Sequence, residues 1–193
     1  GGVAIQDMVA MQLTEGSNGE MWMASNTHGV VRIQGSGHSL NGYTLSAYSV
    51  VNGKLNSNYA DCIYKDIEGR IWVGTGGSGL SLYDAIEDRF LPVHKLWNLP
   101  GDAVTSIQSD KKGDLWLGTN AGLLKLTVPK DLQNVTYRLY TTSDGLQDNL
   151  FNRGASCEAP DGELFFGGHR GYNSFYPDEQ DEQVFSSPVV ITN

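Results

Sequence analysis

One pattern occurs four times along the chain: a glycine, an aromatic residue three positions later, and a second glycine six or seven positions after the aromatic. The aromatic residues are Trp22, Trp72, Trp116 and Phe165, which are separated by 50, 44 and 49 residues. Three of the four tryptophans in the chain therefore stand at one position of a repeat. A regular spacing of this kind is the signature of a fold built from copies of one structural unit.

Each copy predicts short antiparallel strands joined by tight turns. Residues 66–69 and 110–113 have the sequence Asp-x-x-Gly, in which the acid caps turn amides and the glycine accepts a positive φ. The runs 71–73 and 115–117 are too short for a helix and apolar on both faces, which is typical of a strand buried on both sides. Strand patterns before and after these runs complete a four-stranded meander in each repeat.

Four-stranded sheets that are covered on both faces and stacked around an axis form the blades of a β-propeller. We therefore predict an all-β fold, with a partial propeller over residues 1–185 and a linker into a following domain over residues 186–193. The predicted blades, each a four-stranded antiparallel meander, are residues 6–52, 53–99, 100–147 and 148–185. We expect them to be part of a larger ring, because repeats of this size usually close with more blades. A self-closed four-bladed ring is the alternative.

The charge balance disfavours two classes of partner. The chain has 13 Lys and Arg against 22 Asp and Glu, which gives a net charge of −9. A field of that sign disfavours nucleic acid and anionic membrane surfaces, so we expect no nucleic-acid partner for this segment. Hydrophobic residues make up 39% of the chain and charged residues 18%, which is not the composition of a disordered protein. No apolar run approaches the ~18 residues of a transmembrane helix.

The sequence predicts no catalytic residue, no metal site and no cofactor. Cys62 and Cys157 form no C-x-x-C motif, and we expect either two small buried side chains or one disulfide. Residues 74–79 match G-x-G-x-x-G, but a strand pattern follows them instead of a helix, so they predict a turn and no nucleotide site. The four histidines lack the spacing of metal ligands.

Candidate ligand-binding residues follow from the geometry of a meander blade. The hairpin between its second and third strands lies on the same face of the propeller as the connection to the next blade. Aromatic rings stack on the C–H faces of sugars, and amides and guanidinium groups satisfy hydroxyl or acid groups. The alternative is structural, because asparagine is a common turn residue and Trp97 can fill a gap between blades. The candidates on this face are Trp97, Asn120, Arg153, His169 and Arg170.

The repeat resembles the two-component regulator propeller repeat. The pattern of that repeat, Asp-x-x-Gly-x-aliphatic-Trp-aliphatic-Gly-Thr followed by a glycine, is present at residues 66–79 and 110–122. Residues 140–152, followed by 161–171, resemble the last blade of such propellers, and residues 187–192 resemble the start of the immunoglobulin-like domain that follows it. The first repeat departs from the pattern because it lacks the aspartate, and the last departs because it has a phenylalanine in place of the tryptophan.

This resemblance implies the periplasmic sensor region of a hybrid two-component histidine kinase of Gram-negative gut anaerobes. In such proteins the kinase and the membrane helix lie outside the propeller, so the segment itself is expected to be no enzyme and to reach the membrane only through that helix. The resemblance also implies an oligosaccharide ligand and a homodimer whose geometry transmits the signal, with either the partner's blades or neighbouring blades of the same receptor completing the ring.

Two other functions stay open. The segment could be purely structural and serve only dimerisation. It could also be a propeller lyase or lactonase, which would need a His/Glu or metal cluster on the innermost strands.

Overall fold

The computed structural model describes residues 8–35 and 42–179 of the chain. Within them the backbone forms four antiparallel sheets, three with four strands and one with three, and the strands of each sheet follow one another in chain order. Helical structure there is limited to α1 (Val93–Leu96) and short 3-10 turns. The all-β propeller predicted from the repeats is confirmed.

Each sheet is one blade. Blade 1 consists of β1 (Ala10–Glu15), β2 (Met21–Ser25), β3 (Gly29–Gln34) and β4 (Thr44–Tyr48). Blade 2 consists of β5 (Ala60–Lys65), β6 (Ile71–Thr75), β7 (Gly79–Asp84) and β8 (Arg89–Leu91). Blade 3 consists of β9 (Val104–Ser109), β10 (Leu115–Thr119), β11 (Leu123–Thr127) and β12 (Thr136–Tyr140). Blade 4 consists of β13 (Phe151–Glu158), β14 (Leu164–Gly168) and β15 (Gly171–Phe175). Residues 180–185, which complete the predicted fourth blade, and the predicted linker 186–193 lie outside the described residues.

The hydrophobic core lies between consecutive blades. All five residues of β6 are buried, as expected for a strand covered on both faces. Trp22 of blade 1 packs in one cluster with Ile63 of blade 2. Trp72 of blade 2 packs in another with Leu117 of blade 3, and the tryptophan of blade 3 does the same against blade 4. The tryptophans of blades 1, 2 and 3 are therefore each buried by the next blade, so one repeat alone cannot form this core.

An acidic side chain in the preceding hairpin holds the buried indoles of blades 2 and 3. Asp66 accepts two backbone N–H groups of its own hairpin through Oδ1. Its Oδ2 accepts hydrogen bonds from Arg70 Nε at 2.6 Å and from the indole of Trp72 at 2.7 Å. Asp110 repeats the arrangement in blade 3, where Oδ2 lies 3.0 Å from Trp116 Nε1. The aspartate of the repeat thus joins the turn to the core.

The first and last repeats, which lack this aspartate, compensate in different ways. In blade 1 Gly16 takes its position, and Glu20 Oε1 accepts the hydrogen bond from the indole of Trp22 at 3.1 Å. A Cβ atom on Gly16 would lie 2.1 Å from that oxygen, so the glycine leaves room for the replacement acid. In blade 4 Ala159 replaces the aspartate and Phe165 replaces the tryptophan. Because both partners are replaced together, no indole N–H is buried there without an acceptor.

In blades 2, 3 and 4 the glycine of this hairpin also approaches the previous blade. Gly113 has a φ of +88°, and a Cβ atom on it would lie 2.7 Å from Cδ1 of Ile67 in blade 2. Ser17 and Lys111 occupy the same position over the hairpin glycines of the blades that follow them. Gly19 of blade 1 has a similar φ of +77°, but in the described part of the chain nothing lies within 4 Å of its added Cβ. The glycine therefore serves both the turn conformation and the approach of two blades.

A network of polar side chains joins blades 1 and 2 at their outer strands. Asp88 accepts hydrogen bonds from the hydroxyl groups of Tyr48 at 2.7 Å and Tyr83 at 2.8 Å. It also forms ion pairs with Lys54 and with Arg32, the latter at 3.5 Å. Burial by itself raises the pKa of Asp88, but the hydrogen bonds donated by Lys54 and the two tyrosines outweigh it and lower this pKa to about 2.

The two cysteines are free thiols in different environments. Cys62 is buried on β5, and burial raises its pKa well above the usual value. Cys157 is exposed on β13, opposite Phe165, on the side of blade 4 that faces away from blade 3. The expectation of two buried side chains is therefore wrong for Cys157, and the alternative of a disulfide is wrong for the pair.

Candidate functional site

The first strand of each blade lies nearest the propeller axis. β1 packs on β5, β5 on β9 and β9 on β13, and β5 of blade 2 also contacts β13 of blade 4. Each of these strands contains extra residues near its start that interrupt its pairing with the second strand. A β-bulge of this kind bends the strand and redirects a side chain. The extra residues are Met11, Asp61, Thr105 and the longer stretch 152–155.

The hairpins between second and third strands share one face of the propeller with the connections between blades. We call this the loop face. Hydrogen bonds tie the two kinds of loop together: Gly77 N–H donates to the carbonyl of Asp102 at 3.0 Å, and His169 N–H donates to the carbonyl of Leu150 at 3.3 Å. The loop face consists of hairpins 26–28, 76–78, 120–122 and 169–170 and of connections 49–59, 92–103 and 141–150.

Two of the five predicted site residues stabilise loops between blades 2 and 3. Trp97 is half-buried and packs on the core cluster that these blades share, with its ring 6.1 Å from that of Trp72. Asn120 is exposed, and its side-chain oxygen accepts the N–H groups of Asp102 and Ala103 at 3.2 and 3.3 Å. Its amide nitrogen donates to the Asp102 carboxylate at 2.7 Å. Both side chains thus have structural contacts, as the alternative interpretation of these residues describes.

Arg153 lies in the bulge of β13 and reaches another blade. Its Nε is 3.0 Å from Oδ2 of Asp61 on β5, which makes an ion pair between blades 4 and 2 near the axis. The Arg153 side chain is 53% exposed, whereas that of Asp61 is 1% exposed. Burial raises the pKa of Asp61, and the positive charge of Arg153 opposes that rise. The pair therefore consists of a buried acid covered by an accessible guanidinium group.

His169 and Arg170 form the exposed hairpin of blade 4. In the described part of the chain, their hydrogen bonds are made by the backbone. The Arg170 N–H donates to Gln147 Oε1 at 2.8 Å, and the His169 N–H donates to the carbonyl of Leu150. Gln147 is itself buried, so it fixes the hairpin to the connection before blade 4. The structure thus holds the backbone of these two residues and leaves their side chains at the surface.

Asp61 is not among the site residues predicted from the sequence. A signal was present, because Asp61, Thr105 and Met11 each stand 11 residues before the aromatic of their repeat, and Arg153 stands 12 before Phe165. An acid and a base at nearly the same position of the first strands of two repeats indicate a pair near the axis. The bulges that bring the two together are not visible in the strand pattern.

Across residues 8–35 and 42–179, no group of three or more His, Cys, Asp or Glu side chains is arranged to hold a metal ion. In the same part of the chain, no helix is long and apolar enough to cross a membrane.

The sequence profile of the two-component regulator propeller family matches residues 54–77 and 98–121, which include the first two strands of blades 2 and 3 and the turn between them. Histidine kinase P4 of Formosa agariphila is 32% identical over 92 residues, which are 48% of this chain and 6% of that protein. These two segments are therefore similar to two-component regulator propeller repeats, and the chain spans a small part of the curated relative that it matches.

Solved structures share the fold. The extracellular domain of a hybrid two-component system from B. thetaiotaomicron superposes with a TM-score of 0.73 over 92% of this chain and 22% of that one, at 21% identity. A virginiamycin B lyase from Staphylococcus aureus superposes with a TM-score of 0.57 over 92% of this chain and 55% of the lyase, at 14% identity. At these identities the likeness shows a common propeller fold and does not distinguish a sensor from an enzyme.

Proposed function

We propose that this chain, two segments of which are similar to two-component regulator propeller repeats, is a ligand-sensing segment of the extracytoplasmic sensor region of a hybrid two-component histidine kinase. The match of the repeats at residues 54–77 and 98–121 carries the proposal. The local similarity to a histidine kinase and the shared fold with extracellular domains of hybrid two-component systems support it. The proposed localisation is the periplasm, and the kinase lies elsewhere in the protein.

The proposed ligand is an oligosaccharide bound on the loop face. His169 and Arg170 support this, because the structure fixes their backbone and leaves two polar side chains accessible. In a homodimer, the ligand would shift the arrangement of the two subunits only if it binds one arrangement more tightly than the other. A contact with both subunits, or with a loop that moves between the two arrangements, meets that requirement.

The test is carried out on the full-length protein. Binding of an oligosaccharide panel is measured by calorimetry, oligomeric state by light scattering, and kinase autophosphorylation with and without the bound sugar. Arg170→Ala is expected to weaken sugar binding and to abolish the response while the dimer persists. Arg170 is preferred to Trp97 for this test because Trp97 packs on the core, so its removal would also disturb the fold.

The two other functions have distinct outcomes in the same experiment. A purely structural segment is favoured by the contacts of Trp97 and Asn120, and it predicts an unchanged response in every loop-face variant. Turnover of any sugar in the panel, followed by product analysis, would instead identify a propeller enzyme.

A further inference from the structure

Arg153 lies at the loop-face end of the axis, and its guanidinium group uses only some of its hydrogen-bond donors. Asp61 engages Arg153 at Nε. Within the described residues, Nη1 and Nη2 of Arg153 make no hydrogen bond, and the side chain is 53% exposed. Two parallel N–H donors on one edge of a guanidinium match the two oxygens of a carboxylate, and this geometry is the reason that arginine is preferred for acid groups.

Asp61 holds this guanidinium in a fixed place. Its side chain is 1% exposed, and both of its oxygens lack any other hydrogen-bond donor among the described residues. A buried carboxylate without such a partner is strongly unfavourable, so the Asp61 charge keeps Arg153 at the axis. Asp61 would not contact a ligand itself and acts as a positioning residue.

The hairpin of blade 2 comes close to the pair. A Cβ atom on Gly76 would lie 3.0 Å from Asp61 Oδ2 and 3.5 Å from Arg153 Nη2, so the glycine allows the hairpin of blade 2 to approach both groups. Nothing lies within 4 Å of a Cβ added to Gly77. The N–H of Gly76 donates to the carbonyl of Tyr59 at 3.0 Å, and the Tyr59 side chain is 61% exposed. The backbone of Tyr59 is thus bonded to the glycine that approaches Arg153, and an exposed phenol ring is suited to packing on the C–H face of a sugar.

The basic side chains of blade 4 favour an acidic ligand, because the acids of the neighbouring connections, Asp102, Asp144 and Asp148, already accept hydrogen bonds within those loops. Arg153, His169 and Arg170 all belong to the loop-face end of blade 4, in a chain with a net charge of −9. We propose that this end of the axis, which we call the axial site, binds the carboxylate of an acidic sugar through Arg153, with the sugar ring against Tyr59. The inference rests on the proposed oligosaccharide-binding function and names its ligand class, a uronic acid.

The test compares acids with their uncharged counterparts on the 193-residue chain. Glucuronate, galacturonate and mannuronate are each titrated beside their methyl esters, and binding is followed by saturation-transfer NMR. At least one acid is expected to bind about ten- to a hundredfold more tightly than its ester, which is the usual effect of a hydrogen bond between charged groups. Equal binding of every acid and ester, or binding of none of the acids, overturns the proposal.

Variants then locate the site. Arg153→Gln should remove the preference for the acid, and Arg89→Gln, at an exposed arginine on the outer strand of blade 2, is the matched control that should keep it. Arg153→Gln leaves Asp61 without its partner and can destabilise the fold. The double variant Asp61→Asn with Arg153→Gln removes both charges, should fold, and should still lack the preference. Retention of the preference in the folded double variant refutes a role for Arg153.

Asp61→Asn alone separates positioning from binding. Arg153 keeps its charge in this variant but loses the group that holds it, so the acid should bind more weakly while the ester is unaffected. The outcomes also separate this inference from the proposed function. A neutral oligosaccharide that binds and signals regardless of Arg153 overturns the axial site alone. Acid binding without any kinase response in the full-length protein overturns the sensor proposal alone.

Discussion

Removal of Asp66 should destabilise the chain far more than removal of an ordinary turn aspartate. Asp66 accepts two backbone N–H groups and the side chains of Arg70 and Trp72, and it is 4% exposed. In Asp66→Ala the fully buried indole of Trp72 loses its acceptor, which should lower the free energy of unfolding by about 1–3 kcal/mol, and Arg70 loses its ionic partner. The total should reach about 3–5 kcal/mol, the usual effect of breaking a buried ion pair.

The contribution of the indole can be isolated with a double-mutant cycle. Trp72→Phe removes the N–H donor, so in that background Asp66→Ala should be less destabilising by about 1–2 kcal/mol. Blade 4 already carries the double replacement, Ala159 with Phe165, which indicates that the pair is exchanged as a unit. Urea unfolding followed by circular dichroism gives each free energy of unfolding.

The control for this cycle is Asp131→Ala. Asp131 is an exposed turn residue that accepts one backbone N–H, from Gln133 at 3.0 Å. Asp131→Ala should therefore lower the free energy of unfolding by less than about 1 kcal/mol. A coupling energy below about 0.5 kcal/mol between Asp66 and Trp72 would refute the reasoning, because the aspartate would then stabilise the hairpin without the indole.

Three further predictions concern packing, thiol reactivity and pH. Gly19→Ala and Gly113→Ala both place alanine at a positive φ, which should destabilise the chain by about 1 kcal/mol each. Urea unfolding should show a larger decrease in the free energy of unfolding for Gly113→Ala, because of these two glycines only Gly113 has a side chain of the previous blade next to it. In thiol labelling of the native chain, Cys157 should react and Cys62 should react only after unfolding. The pKa of Asp88 is lowered to about 2, so its stabilisation, complete above the ordinary carboxyl pKa near 4, is lost as pH falls towards 2. Acid titration of Asp88→Asn should show a smaller loss.

The fold could be predicted from the sequence because the residues of each repeat are enough to specify its turns and strands. The Asp-x-x-Gly turn and the apolar strand that follows it specify a hairpin locally, and four copies specify the blades. Contacts between repeats are less visible. That Glu20 replaces the missing aspartate of the first repeat depends on a glycine at position 16, and only the structure shows the two meeting. Cys157 was misjudged for the same reason, because its exposure depends on which blade follows.

The candidate site was predictable as a face and only partly as a set of residues. Strand order alone places the hairpins and connections on one side, so the loop face followed from the sequence. Which side chains remain available there depends on hydrogen bonds that the sequence does not display. Asn120 binds Asp102, and Trp97 packs against Trp72. Asp61 lies at the site because a bulge adds one residue to its strand.

Departures from the repeat concentrate at the place where we propose that ligand binds. The first strands of blades 1 to 3 each carry a one-residue bulge, but that of blade 4 carries the stretch 152–155, which contains Arg153. Blade 4 also lacks the aspartate and the tryptophan that the repeat uses for stability. In a protein made of similar units, the unit that breaks local rules is the one in which other requirements outweigh stability. Substitutions in blade 4 should therefore most easily abolish ligand binding while the chain still folds. Substitutions in blades 2 and 3 should impair binding and folding together.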